Sequence, residues 1–303
     1  ARDRPAGMTD RSAFPRRREA LAILAAATLP RPAQAAGLRV ATVDWSVLET
    51  LLALGIAPVA APELLQFREV AVEPAVPSGV TDLGLRGTVN FELLLLSRPE
   101  LIYSSSFYVS SEPRLARIAP VERFSIYAPG RPPYGPAEAM MRSIGARLGR
   151  SDEAERYVAE TEAEFAGLRE RLKPQAQRPV IPINLGDARH VRVFGADSMF
   201  GEVLKRLGLA NAWTDDTSYS AMAPVGIEAL ARIPEAWIAL IPPVPPGALE
   251  VLSASAFWSA LPNLRDGRLL QLASINPYGG LPAARRFARL LSEALLAKGT
   301  AHG

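Results

Sequence analysis

The 303-residue sequence predicts an α/β protein: two lobes with mostly parallel sheets, joined by a single long helix. Two observations carry that expectation. Short β-branched runs alternate with amphipathic helical runs through residues 39–118, and again through residues 180–297. Between the two halves, residues 151–173 repeat apolar side chains at helical spacing without a break.

Residues 39–43 form the first predicted strand, rich in β-branched side chains. Residues 46–54 follow as a helix stopped by Gly55, and 57–60 return as a strand. Residues 80–82 lead into the turn Gly84-Leu-Arg-Gly87. Asn90 then caps a helix over 91–97, which Pro99 ends. Residues 101–104 are the next strand, before a serine-rich loop and a helix over 113–118. Strands and helices in alternation with short links favour a parallel sheet.

In the long helix, Ala154, Tyr157, Val158, Thr161, Phe165, Leu168 and Leu172 share one stripe. Acids come early, Arg169, Arg171 and Lys173 fill the last turn, and Pro174 stops it. At 1.5 Å per residue it spans roughly 33 Å, enough to bridge two lobes and too short for a coiled coil. The second half offers strands at 180–184, 191–194, 237–241 and 269–272. Its helices are expected at 198–207, 227–232, 247–253, 256–261 and 282–297. Pro242, Pro243, Pro245 and Pro246 read as a stiff turn. The expected division is a leader over 1–36, a first lobe over 37–150, the bridging helix over 151–174 and a second lobe over 175–303.

The leader accounts for the charge. The whole chain carries 34 Lys+Arg against 31 Asp+Glu, a formal +3. Residues 1–36 hold seven of the arginines and three of the acids, leaving 27 basic and 28 acidic residues in the body. The body therefore has no basic excess for phosphates, and no nucleic-acid partner is expected. Arg16-Arg17-Arg18, an apolar run over 20–29 and the small residues Ala33 and Ala35 make up an export signal, cut after Ala35 or Ala36. The arginine pair before a weakly apolar run is twin-arginine-like, although Pro15 and Glu19 depart from that pattern. The run is too short to cross about 30 Å of hydrocarbon. The working protein is thus expected to be soluble and periplasmic. Zero cysteines exclude disulfides, thiolate metal sites and a lipidated N-terminal cysteine.

Enzyme chemistry finds little support. The two histidines are His190 and His302, the second in the C-terminal tail. His190, in Asp187-Ala-Arg-His190, is a candidate base for a hydrolase or a polar residue in a turn, and no nucleophile elbow stands near it. Walker A, dinucleotide and zincin motifs are missing from the sequence, and two histidines do not build a transition-metal site.

What remains is a set of loops at strand ends, where ligands sit in open α/β sheets. Arg86 follows the strand at 80–82, between glycines that let backbone approach a ligand. Tyr103, Phe107 and Tyr108 surround the end of the next strand. Trp213 and Tyr219 lie beyond the 198–207 helix, and Tyr278 follows the strand at 269–272. Such a cleft suits an organic ligand with a few acceptor oxygens. For each aromatic, ordinary packing is the alternative, and for Arg86, a plain surface arginine.

Three runs of the first half carry a resemblance. They are Trp45-Ser-Val-Leu-Glu-Thr-Leu-Leu-Ala-Leu-Gly-Ile-Ala-Pro, Val80-Thr-Asp-Leu-Gly-Leu-Arg-Gly-Thr-Val-Asn-Phe-Glu-Leu-Leu and Leu115-Ala-Arg-Ile-Ala-Pro. Val193-Phe-Gly-Ala-Asp-Ser-Met-Phe, Asn211-Ala-Trp and Phe257-Trp-Ser-Ala-Leu-Pro extend it through the second. Over residues 38–298 the chain resembles the periplasmic iron(III)–siderophore binding proteins of ATP-driven importers, those for ferric hydroxamates above all. The resemblance implies two lobes on one rigid helix, a shallow cleft and no catalysis. It implies that Arg86 hydrogen-bonds hydroxamate oxygens, that Tyr103, Trp213 and Tyr278 line the pocket, and that Tyr108 or Phe107 is a second contact.

Glu112 and Glu228 match the acids, one on each lobe, that dock onto permease arginines; each also begins a predicted helix, where a carboxylate is favoured by the dipole. No cofactor is implied, because the siderophore's own oxygens fill the iron's coordination sphere, and a monomer is expected. Val70, Ser220 and Asn276 stand where the hydroxamate binder has tryptophans, which implies a more polar cleft. A corrinoid or haem binder on the same scaffold is the alternative within the class, and an exported α/β hydrolase the alternative outside it.

Overall fold

The computed structural model describes residues 37–129, 131–215, 217 and 224–300. The leader, Tyr219 and Ser220 lie outside them. Strands β1 (Val40–Thr42), β2 (Ala60–Ala61), β3 (Thr81–Asp82), β4 (Leu101–Ser105) and β5 (Val121–Phe124) form one sheet in the order β3-β2-β1-β4-β5. All its pairings are parallel. The second sheet contains β6 (Val180–Leu185), β7 (His190–Val193), β8 (Pro224–Gly226), β9 (Trp237–Leu240) and β10 (Leu269–Gln271), ordered β10-β9-β6-β7-β8. Here β10, β9 and β6 are parallel, while β7 returns antiparallel through a hairpin and β8 pairs antiparallel with β7.

The helices of the first half are α1 (Trp45–Ala53), α2 (Leu64–Val70), α3 (Phe91–Leu96), α4 (Glu112–Leu115) and α5 (Tyr134–Arg147). After them come α6 (Ser151–Leu172), α7 (Met199–Arg206), α8 (Ala248–Ser253), α9 (Ala256–Ala260), α10 (Pro262–Arg265) and α11 (Leu281–Thr300). Helix α6 runs 22 residues between the two sheets in sequence and buries Ala154, Val158, Thr161, Phe165, Leu168 and Leu172, six of the seven stripe positions. Tyr157 stays half-buried on the stripe's edge.

Several elements differ from the sequence reading. Helix α5 was not expected, because Gly135, Pro136 and Gly145 argue against a helix. Pro136 falls in the first turn, where a missing N–H costs nothing. Gly145 lets α6 approach: a Cβ there would stand 2.6 Å from that of Ala154. Strand β5 reads Val-Glu-Arg-Phe and was missed because it is an edge strand with charged, outward side chains. Residues 227–232 wind as a 3-10 turn rather than an α-helix.

One hydrophobic core serves both sheets. It starts at Val40 and Leu101, continues through Met140, Ile144, Phe165, Phe200 and Phe287, and reaches Val180, Ala239 and Leu270. Helices α5, α6 and α11 supply its middle. The outer faces of the sheets bury separate, smaller clusters.

Candidate ligand cleft

Because β1, β3, β4 and β5 are parallel, the residues that follow them collect along one edge of the sheet. Asp44 follows β1 and caps α1: one carboxylate oxygen accepts from Ser46 N (2.7 Å) and Val47 N (3.2 Å). The other accepts from Ser105 Oγ (2.7 Å), which ties the end of β1 to that of β4. Ser105 Oγ in turn accepts from Phe107 N (3.3 Å), setting the chain's path into the Ser106–Ser111 turn.

Arg86 sits in the short 3-10 turn Arg86–Thr88 beyond β3. Its guanidinium carbon lies over the Trp45 ring, 3.7 Å from the centroid. Glu63 takes its Nε edge at 2.6 Å and its backbone N–H at 3.2 Å. Glu63 occupies the N-cap of α2 with φ +50 and makes no cap bond of its own. Asp82 supplies it instead, accepting from Leu64 N at 3.0 Å, and the Glu63 carboxylate is left for Arg86. The turn needs Gly84, whose φ is +72 and whose carbonyl accepts from Glu63 N. The Nη groups of Arg86 make no hydrogen bond with any described residue, and its side chain is one-third exposed.

Tyr108 lies within electrostatic reach of Arg86. Burial, with the negative charges of Asp44 and Glu63, pushes its phenol above the usual tyrosine range, and Arg86 offsets part of that. It therefore stays a neutral O–H donor. Phe107, Tyr127 and Tyr278 pack as a trio, with centroids 6.2, 6.2 and 5.6 Å apart. Tyr278 arrives from the segment after β10, so the aromatic wall is built from both halves. Tyr127 fixes the junction by donating from its hydroxyl to the Gly279 carbonyl at 2.7 Å.

Arg86, Phe107 and Tyr108 thus follow strands at one edge of the first sheet, Tyr278 meets them through Phe107, and two predicted wall residues do not join them. Tyr103 is fully buried in the shared core, its ring 5.6 Å from Phe124. On β4 it alternates onto the face of Leu101, and its phenol faces Glu122 and Arg147. It offers no surface to a ligand. Trp213 belongs to the core of the second sheet, 6% exposed, with Arg232 over its ring. It lines a groove of about 940 Å³ whose walls include Pro132, Asp197 and Lys205 but none of Arg86, Tyr108 or Tyr278.

Asn276 adds no polar group to the cleft either, being 2% exposed and donating to Glu49. Val70, half-buried against the cluster around Trp45, stays apolar. The sequence reading passed over Asp44, Trp45, Glu63 and Tyr127. Of these only Trp45 carried a signal, as the aromatic just beyond the first strand.

Glu112 begins α4 and stands 2.8 Å from Arg123, its side chain 18% exposed. Glu228 is exposed and folds its carboxylate back over Gly226. His190 closes the β6–β7 hairpin, its Nδ1 3.0 Å from both oxygens of Asp187. No described hydroxyl hydrogen-bonds to it. Among the described residues no three His, Cys, Asp or Glu side chains group as metal ligands, and no helix is long and apolar enough to cross a membrane.

A family model described as periplasmic binding protein matches residues 40–275. The chain belongs to the periplasmic binding protein family. It is 31% identical over 257 residues to the iron(3+)-hydroxamate-binding protein FhuD of Escherichia coli K12, covering 85% of this chain and 86% of that one. Among solved structures it is similar to the Fe3+-Desferal-bound siderophore binding protein FhuD of Vibrio cholerae. That match has a TM-score of 0.82 at 25% identity, covering 86% of this chain and 98% of the other. The fold extends to the petrobactin-binding protein YclQ of Bacillus subtilis, with TM-score 0.70 and 17% identity over 86% and 92% of the two chains. These relatives are binding proteins. The two halves with mostly parallel sheets and the long helix of this binding protein are the architecture they share.

Proposed function

We propose that this binding protein captures a ferric siderophore of the hydroxamate type and delivers it to an ATP-driven importer in the inner membrane. One observation carries the reading. Arg86 is stacked on Trp45 and held at its Nε edge by Glu63, which leaves its Nη groups for acceptor oxygens of a ligand. Hydroxamate oxygens around iron carry partial negative charge, and a charge-assisted bond to each is worth about 1.5–3 kcal/mol. The neutral phenol of Tyr108 is a second donor in reach. Phe107 and Tyr278 cover the organic backbone of the ligand and exclude water. The iron travels as cargo, ligated by the siderophore itself, and the cleft supplies donors rather than metal ligands.

Residues 1–36 serve as the export leader, and the mature chain works in the periplasm as a monomer divided at 37–150, 151–174 and 175–303. Glu112 and Glu228 are the docking acids for permease arginines. Glu228 is ready as it stands, whereas Glu112 exchanges Arg123 for its partner. Tryptophan fluorescence titrated with purified ferric hydroxamates tests the proposal, since Trp45 lies directly beneath Arg86. A Kd tighter than about 10 µM, roughly −7 kcal/mol, is expected. Failure of every ferric hydroxamate to reach that level overturns the specificity, and tighter binding of a corrinoid or haem would replace it.

A further inference from the structure

We propose that Glu49 is a positioning residue for the cleft: it grips the segment from Asn276 to Gly280 and, through Asn276, sets where Tyr278 presents its ring. The inference rests on the cleft being the ligand site. Glu49 lies on α1 and is wholly buried. Its Oε1 accepts from Asn276 Nδ2 at 2.7 Å and its Oε2 from Gly280 N at 3.0 Å. Asn276 Oδ1 accepts in turn from Tyr278 N at 3.2 Å. Gly279 lies against the carboxylate so closely that a Cβ would collide with it and with Ala283. A carboxyl group of the first half therefore orders four of the five positions from Asn276 to Gly280, and the ring it orders is the one that meets Phe107 and Tyr127.

The chemistry explains why an acid is used in a site that penalises charge. Donors converge on this side chain from two directions, so acceptor capacity is needed on both sides, and a carboxyl group, protonated or ionised, has an oxygen on each. A glutamine offers one. If its oxygen faces Asn276, its NH2 meets Gly280 N–H. If its oxygen faces Gly280, its NH2 turns the Asn276 amide, which then points a donor at Tyr278 N–H. Either arrangement leaves a loop N–H unpartnered. Exchanging the two side-chain types repairs it: with Glu49→Gln and Asn276→Asp together, one Asp oxygen accepts from Tyr278 N, the other from the Gln amide, and the Gln oxygen from Gly280 N.

The titratable groups facing Glu49 are Asp44 at the cap of its own helix, Tyr127 beyond β5 and Tyr157 of α6, with Arg285 and Arg289 of α11 beyond Tyr157. Burial, which outweighs the N–H donors of Asn276, Gly280 and Ala283, pushes the Glu49 carboxyl up to about 8.

The test uses the mature protein labelled with fluorotyrosine, the Tyr278 signal being assigned with Tyr278→Phe, read by fluorine NMR and by ferric hydroxamate titration. Glu49→Gln is expected to shift the ligand-free Tyr278 signal and weaken binding about tenfold, the loss of one hydrogen bond. The double exchange is expected to restore both to within about threefold of the parent. The parental Tyr278 signal is expected to shift as pH passes about 8, where Glu49 ionises, and that shift is expected to be absent in Glu49→Gln. An unmoved Tyr278 signal in Glu49→Gln, an identical titration in both proteins, or a double exchange no better than the single overturns the inference. Should Glu49→Gln fail to fold, the double exchange decides alone, by a parental or a displaced Tyr278 signal. A parent that binds no ferric hydroxamate sinks the functional reading, while the ligand-free signal still judges Glu49.

Discussion

Arg86→Ala separates a ligand contact from a structural tie. The side chain does two things: it spans from the Glu63 carboxylate to the face of Trp45, and it directs its Nη groups outward. Truncation removes the charge-assisted bond to ligand, about 1.5–3 kcal/mol, which predicts a Kd higher by about 10- to 150-fold at 25 °C. It also strands the Glu63 carboxylate, whose side chain is only 13% exposed, although the backbone N–H of residue 86 still donates to it. That orphaned acceptor and the lost stacking on Trp45 predict a fall in stability of about 1–3 kcal/mol.

Fluorescence titration with a ferric hydroxamate reads the first effect and urea unfolding the second. Glu63→Gln provides the contrast. It keeps an acceptor for Arg86 and leaves the Nη groups in place, so affinity should change by less than about fivefold. A Kd within about twofold of the parent in Arg86→Ala, together with the stability loss, would refute the ligand role and leave Arg86 as a strut between Glu63 and Trp45.

Three further outcomes are expected. Glu112→Ala with Glu228→Ala should keep ligand affinity and abolish uptake in cells; loss of binding in the purified double variant would remove both from docking. Glu49 holds its proton to a higher pH when folded, at about 8, than the ordinary 4.5. Its contribution is therefore complete below about 4.5 and lost as pH rises towards 8, by at most about 1.4 kcal/mol per pH unit. Urea midpoints across that range should show the fall, and Glu49→Gln should flatten it. Gly145→Ala should cost about 1–3 kcal/mol by the same assay, because the new Cβ meets Ala154 Cβ at 2.6 Å and the Arg150 carbonyl at 2.9 Å.

Much of the architecture was legible because burial and local pattern agree. Helix α6 keeps its acids outside and its stripe inside, and the alternation of strands and helices prescribes the parallel pairings of the first sheet and of β10-β9-β6 in the second. The site was legible only in part. Arg86 stands out between two glycines, but Glu63 beneath it looks like any helix-start acid, since its partner arrives from 23 residues away. Tyr103 and Tyr108 are indistinguishable as letters. Both faces of this sheet are covered, so alternation along β4 does not say which face a ligand could reach. Glu49 is hidden for a related reason. All seven residues from Trp45 to Leu51 are buried, so α1 has no polar face in that stretch to betray an acid with an unusual task, and its partner lies 227 residues further on. Helix α5 was concealed by glycines and a proline whose positions make sense only once its neighbours are known.

The core common to both sheets has a consequence for biosynthesis. The first sheet leaves the ribosome well before α11, yet α1 packs on α11, and Glu49 meets its hydrogen-bond donors only in the Asn276–Gly280 segment just ahead of that helix. Until those residues are made, the nascent first half holds an acid in an apolar surround with nothing to satisfy it, and exposes the side of α1 that α11 will cover. Completion of the N-terminal half is thus a late event, waiting on the synthesis of residues 276–300. A chaperone that shields the unfinished α1 surface would find its substrate until residues 276–300 emerge and lose it once they dock.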